Sequence, residues 1–188
     1  MAEVLLLHHA QGLTSGCQAF ADDLWAAGHT VHVPDLYEGR TFATLDEGVD
    51  HARQVGFDTI GERGRAAAEQ LPNELVYLGM SLGVVPAQAL TQGRPGARAA
   101  VLLHGAIPAA EFGQPWPAGV PLQIHAMDDD ELGDVDVARE LVKEVDSAEL
   151  FTYPGDRHLF TDRSLAVYDA DAAALVTQRI LALLERLG

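Results

Sequence analysis

Ser81 sits between two glycines in Gly79-Met80-Ser81-Leu82-Gly83. The apolar run Leu75-Val76-Tyr77-Leu78 precedes it, and the small-residue stretch Val84-Val85-Pro86-Ala87-Gln88-Ala89-Leu90 follows. The pattern predicts a buried strand that turns sharply and leaves as a helix. Glycines flank the serine because neighbouring backbone comes too close there for a Cβ, and the bend pushes Ser Oγ out of the sheet edge. A helix starting at Ser81 or Leu82 aims its free N–H groups and positive dipole end at any oxyanion formed there. The five-residue motif alone also occurs in ordinary Gly-rich connections. The strand before it and the helix after it make Ser81 a nucleophile candidate.

A serine hydroxyl is a poor nucleophile until a base takes its proton, and the base needs an acid to fix its tautomer and steady its cation. On a strand–serine–helix elbow the acid follows the serine and the histidine comes last. His158 meets that order in Tyr153-Pro154-Gly155-Asp156-Arg157-His158-Leu159-Phe160. His104 and His125 also follow Ser81 but end earlier strands, where lining the pocket is the expected role. The acid comes from Asp128-Asp129-Asp130-Glu131, and spacing leaves Asp128, Asp129 and Asp130 open. A calcium loop is not indicated, since Leu132 stands at the fifth position and Arg139 at the twelfth. Two backbone donors complete the set: the N–H of Leu82, and that of Ala10 or Gln11 in the loop after the first strand, which Gly12 lets approach closely.

Other chemistries find little support. His8 and His9 point to opposite faces of their strand and cannot chelate as a pair, so His8 is expected in the core wall and His9 at the pocket floor. Eight histidines without H-x-x-x-H or H-E-x-x-H spacing give no zinc site. No Lys-Ser/Thr follows the glycines, so the motif is not a phosphate loop. Neither a metal nor a cofactor is implied. A net charge of −16 argues against a nucleic-acid partner or an anionic membrane surface.

The elements that must hold these residues alternate strand and helix. Strands are predicted at Val4–His9, Thr30–Val33, Leu75–Met80, Ala99–His104, Pro121–His125 and Ala148–Tyr153. Helices are predicted up to Ala27 with Gly28 as stop, over 46–71 with a bend near Gly56 or Gly61–Gly64, and at Leu82–Leu90, Val135–Val145 and Tyr168–Leu187. Such alternation gives a doubly wound, mostly parallel α/β sheet of about six strands flanked by helices. Sites in such sheets form at the carboxyl ends of the strands, where every residue singled out above falls. With 188 residues, 48% hydrophobic and 21% charged, the chain reads as one domain with a substantial core. One cysteine, Cys17, excludes an internal disulfide and fits a reducing compartment. Met1-Ala2-Glu3 carries no basic segment, Val4–Leu7 is too short for a signal core, and no apolar run reaches membrane length. A cytoplasmic location is expected.

With these residues in hand, nearly the whole chain resembles the dienelactone hydrolase family of the α/β-hydrolase superfamily. The resemblance rests on the first strand and its loop to Gly12, and on Ala27-Gly28-His29 leading to Val33-Pro34-Asp35-Leu36-Tyr37. It rests equally on the elbow, on Pro121 to Asp130, and on Tyr153-Pro154-Gly155 leading to His158-Leu159-Phe160. The family's acid follows the strand-end histidine by five positions, which selects Asp130, and its first-strand oxyanion donor maps onto Ala10. The chain departs from the family with Ser81 in place of the elbow cysteine and His9 in place of a glutamate. Arg40 and Arg157 are candidates by location for the arginines that hold the family's substrate carboxylate. The minimal α/β-hydrolase fold that results predicts a serine hydrolase of a small carboxylic ester or lactone. Its triad would be Ser81, His158 and Asp130, its oxyanion hole Leu82 and Ala10, and its pocket His9, Gln11, Tyr37, His104 and Trp116. A non-catalytic ligand-binding protein on the same fold, or an acyltransferase using the same triad, is the alternative. The sequence does not choose between monomer and homo-oligomer.

Overall fold

A computed structural model describes residues 1–188. Six parallel strands form one sheet in the order β2-β1-β3-β4-β5-β6. These are β1 (Glu3–Leu7), β2 (Thr30–His32), β3 (Val76–Met80), β4 (Ala99–Leu103), β5 (Leu122–Met127) and β6 (Ala148–Tyr153). The four inner strands are buried along their whole length or nearly so, which is why they read as unbroken apolar runs. The edge strands β2 and β6 are only partly covered.

Helices cover both faces. On one side lie α1 (Ser15–Ala26) and α6 (Ala170–Leu187), packed on Val4, Leu6, Val76, Leu78, Val101 and Leu103. On the other lie α2 (Leu45–Val55), α3 (Phe57–Glu69), α4 (Val84–Gly93) and α5 (Val135–Glu144), over Leu5, Leu7, Tyr77, Leu102 and Ile124. Alternate strand residues therefore feed two separate cores, as the two-residue period of a strand requires.

Several boundaries differ from the sequence expectation, each for a local reason. β1 stops at Leu7, two residues before His9, because the backbone of Gly83 presses against its end: a Cβ on Gly83 would lie 2.1 Å from the Leu7 carbonyl oxygen. β4 stops at Leu103, since His104 turns away with φ 61°. β5 runs on to Met127, which pairs with Tyr153, so His125 lies inside the strand and not at its end. The long helical stretch breaks at Gly56 (φ 92°), while Gly61 and Gly64 sit within α3. A 3-10 turn over Ser81–Gly83 comes before α4, which starts later than expected and runs on to Gly93. The last helix begins at Ala170, where Asp169 caps it by accepting the Ala172 N–H.

Gly83→Ala should lower stability by about 1–3 kcal/mol through overpacking at β1. Gly93→Ala, with nothing within 4 Å of the added methyl, should be near neutral. Urea unfolding of the two variants checks this.

Candidate active site

At the end of β3 the chain cannot accommodate side chains. A Cβ on Gly79 would lie 2.4 Å from the Gly83 carbonyl oxygen, and one on Gly83 would strike the end of β1. Ser81, between them, is held at φ 49°, a left-handed conformation that costs a non-glycine residue energy. The bend leaves Ser81 half-buried, above an otherwise buried strand.

The strain has company. His104 at the end of β4 has φ 61° and Leu159, next to His158, has φ 62°. Both lie within the same cluster of strand ends and loops. Backbone strain collected at one place is a pointer toward a functional site.

Side chains from three segments meet there. Ser81 Oγ lies 2.8 Å from His158 Nε2, and His158 Nδ1 lies 2.7 Å from Asp130 Oδ2. His158 comes from the loop after β6 and Asp130 from the turn after β5. Asp130 is buried and its other oxygen accepts the Leu132 N–H at 3.0 Å, whereas Asp128 and Asp129 are exposed. A Cβ on Gly133 would lie 2.9 Å from Asp130 Oδ2, so glycine there leaves room for the carboxylate. The network sets the tautomer: Nδ1–H donates to Asp130, leaving Nε2 to accept from Ser81.

The backbone around Ser81 offers donors. Leu82 is the second residue of the 3-10 turn, where an amide has no intrahelical acceptor, and the turn leads straight into α4, which has no side-chain cap. Ala10 is buried just past β1, and its N–H has no partner within the protein. Gly48 makes room beside it, since a Cβ there would lie 2.1 Å from the Ala10 carbonyl oxygen.

The pocket candidates divide. Trp116, expected in the pocket, is half-buried at the other end of the sheet: its Nε1–H donates to Val120 O at 2.8 Å, just before the amino end of β5, and its ring packs on the α2–α5 core. Tyr37 is buried, edge-on to His8 at 5.1 Å, with its hydroxyl donating to Gly48 O at 3.3 Å. Gln11 is buried too, and its amide donates to the carbonyls of Phe42 and Ala43. His104 is buried edge-to-face with His158, ring centres 5.8 Å apart, with Nε2 at 2.7 Å from Thr161 Oγ1. Burial, reinforced by the charge on His158, holds its pKa well below the ordinary value, so the ring is neutral. His8 closes the wall, donating from Nδ1 to His9 O (2.8 Å) and accepting the Leu36 N–H at Nε2 (3.0 Å). That bond ties the Pro34-Asp35-Leu36-Tyr37 run to the end of β1.

His9 faces the other way, toward residues that the sequence reading did not single out. Its Nε2 lies 2.8 Å from Asp162 Oδ2, and both side chains are 1% exposed. Thr14 donates to the same oxygen at 2.5 Å, Cys17 Sγ lies 3.9 Å away, and the Ser164 N–H and O–H donate to Oδ1. Gly16 is required here, since a Cβ would lie 1.6 Å from Asp162 Oδ1. Burial alone would lower the His9 pKa, but the bond to Asp162, helped by Cys17, outweighs it and raises the value to about 9. Burial pushes Asp162 the other way, yet its bonds from His9, Ser164 and Thr14 hold it well below the usual carboxylate range. The result is a buried imidazolium–carboxylate pair. Ligand atoms of His9, Cys17 and Asp162 fall within 4.8 Å of one another, but the carboxylate's lone pairs are already taken by protein donors. The available signal was two adjacent histidines closing a buried strand, each of which needs a partner.

The arginine candidates separate as well. Arg157 is bound to Tyr168 O and the Asp169 carboxylate, at the start of α6. Arg40 is exposed on the loop that meets Gly12, across the bridge from Gly12 to Thr41. His125 is buried within β5, donating to Gln123 Oε1 and accepting from Tyr153, whose hydroxyl also takes a bond from Arg179.

Residues 1–188 match the model of the dienelactone hydrolase family, and the chain belongs to that family of hydrolases. Comparison with curated proteins returned no match. Among solved structures it is similar to a dienelactone hydrolase-like promiscuous phosphotriesterase from metagenomic libraries, at 19% identity and a TM-score of 0.78, covering 100% of this chain and 87% of that one. The dienelactone hydrolase from Anabaena variabilis is 18% identical with a TM-score of 0.71, over 99% and 86% of the two chains. A cold-adapted esterase from an Arctic intertidal metagenomic library is 17% identical with a TM-score of 0.66, over 97% and 82%. These likenesses place the fold among the α/β hydrolases.

The histidines give stability a defined pH dependence. The His9 pKa rises from 6.5 to about 9 on folding, so its contribution is complete below about 6.5 and is lost as pH rises through about 9. His8 and His125 are depressed by burial to about 4 and about 3, so their contribution is present above 6.5 and lost as pH falls below it. The urea midpoint should therefore peak near pH 6.5, and His9→Gln should remove the alkaline decline while leaving the acid one.

Proposed function

We propose that the protein hydrolyses a small carboxylic ester or lactone through a Ser81–His158–Asp130 triad and an acyl-enzyme. The observation that carries this is the unbroken chain of short hydrogen bonds from a half-exposed, strained serine through one imidazole to a buried carboxylate. In the first half-reaction His158 Nε2 takes the Ser81 proton as Oγ adds to the carbonyl carbon. Asp130 stabilises the imidazolium without itself taking the proton. The N–H groups of Leu82 and Ala10 hold the oxyanion, with the start of α4 adding its positive end. The tetrahedral intermediate collapses, and the imidazolium protonates the departing alkoxide, leaving acyl-Ser81. Water then gives a proton to His158 and its oxygen to the acyl carbon, and the returning proton frees Ser81.

The similarity to a dienelactone hydrolase-like phosphotriesterase and to a cold-adapted esterase favours this reaction class. His9, Gln11, Tyr37 and His104 support the pocket from behind, whereas Trp116, at the amino end of β5, takes no part in it. Arg40, exposed beside the Gly12 loop, is the cation available to an acidic substrate at the rim. The net charge of −16 keeps nucleic acid and anionic membrane out of the proposal, and the single buried Cys17 fits a cytoplasmic setting.

Hydrolysis of p-nitrophenyl acetate tests the assignment. Ser81→Ala and His158→Ala should each lose at least about a thousandfold in kcat, and Asp130→Asn a comparable factor. A wild-type rate in Ser81→Ala would sink the proposal. Product analysis in the presence of a competing alcohol separates hydrolysis from acyl transfer.

A further inference from the structure

We propose that the buried His9–Asp162 pair is the positioning clasp of the site, locking the backbone that carries the Ala10 donor to the loop that carries His158. This rests on the reading of Ser81, His158 and Ala10 given above. Neither residue is placed to touch substrate; both would act through their neighbours.

The geometry on the β1 side is tight. The His9 ring donates to Asp162 through Nε2, and its Nδ1 faces the Gln11 amide nitrogen at 3.2 Å. Gly12 N–H donates to His9 O at 3.0 Å, closing the turn. Ala10 thus lies in a turn that starts at the residue whose ring Asp162 holds, and its amide direction follows from that turn.

The other side is equally constrained. Asp162 follows His158 by four residues, and its N–H donates to Leu159 O at 3.0 Å across a turn whose first residue is in the left-handed region. Thr161, one residue earlier, bonds His104 at the end of β4. The histidine loop is therefore pinned to the carboxyl ends of β1 and β4 within five residues. Thr14 extends the connection into α1, since the hydroxyl that donates to Asp162 also accepts the Cys17 N–H as the helix cap.

Stability alone does not account for this arrangement. An apolar pair of similar volume is often as stable as a buried ion pair, or more so, whereas a charged hydrogen-bonded pair fixes direction as well as distance. Proximity catalysis depends on such direction: a misplacement of about 1 Å can cost a hundredfold in rate. The groups facing the His9 ring are Asp162 from the histidine loop and Cys17 from α1, with His8 beside it and His104 farther along the strand ends. Asp162 is the carboxylate among these, so its loss removes the main reason for His9 to hold its proton.

The experiment compares wild type, Asp162→Asn and the double variant His9→Gln/Asp162→Asn on p-nitrophenyl acetate. Each is first checked for native circular dichroism and a cooperative melt. Asp162→Asn should lose roughly ten- to a hundredfold in kcat with KM within about twofold of wild type. The double variant, whose two amides can share a neutral hydrogen bond, should recover most of that loss. Wild-type kcat should fall as pH rises through about 9, and that limb should be missing from the double variant. Wild-type kcat and an unchanged pH profile in folded Asp162→Asn would overturn the clasp, as would a loss confined to KM or melting temperature. Should Asp162→Asn not fold, the wild-type and double-variant profiles decide, and matching alkaline behaviour in the two overturns it. Activity in wild type that Ser81→Ala abolishes, with no effect in the clasp variants, removes the clasp alone. Wild type without esterase activity removes both readings.

Discussion

Backbone packs directly on backbone where β3 turns toward α4, and the site depends on that contact. Gly79 lies against Gly83, and Gly83 lies against the carbonyls of Leu7 and His8. Three consequences follow from one close approach. Ser81 is forced into the left-handed region and lifted above the sheet. The first amides of the following turn are left without intrahelical partners beside it. β1 is ended early, so its last residues become a loop that can present an amide toward the serine. A methyl group at either glycine would disturb all three together.

Around that contact the protein distributes charge among its histidines by giving each a different partner. Burial keeps His8, His104 and His125 neutral, even though the Asp35 carboxylate lies 3.8 Å from His8. His9 is equally buried but meets a carboxylate, and it stays protonated. His158 is the one least enclosed among those around the serine, with its side chain 11% exposed. Proton traffic through His158 would then be flanked by rings that do not titrate at neutral pH. Fixed protonation in the surrounding groups is what electrostatic preorganisation requires.

Much of this was legible in the residues, and what was not has identifiable causes. The strands were readable because parallel strands covered on both faces must be apolar throughout, as in Val4–Leu7 and Ala99–Leu103. The elbow was readable because only glycine tolerates such contacts, and the partners Ser81, acid and histidine follow a fixed chain order. Spacing left Asp128, Asp129 and Asp130 open. The family resemblance selected Asp130, the residue that the structure buries and bonds to His158. Asp162 was not legible because its partner His9 lies 153 positions away, and loop acids carry no mark of which will be buried. The early ends of β1 and β4 were hidden for a related reason. His8, His9 and His104 continue the strand pattern in sequence, while the neighbouring turn interrupts it in space.

Intact mass after treatment with a fluorophosphonate measures directly whether His158 activates Ser81. Wild type should gain one adduct, localised to Ser81, while folded Ser81→Ala and His158→Ala gain none. An unmodified wild type, or an adduct that persists in Ser81→Ala, would contradict it.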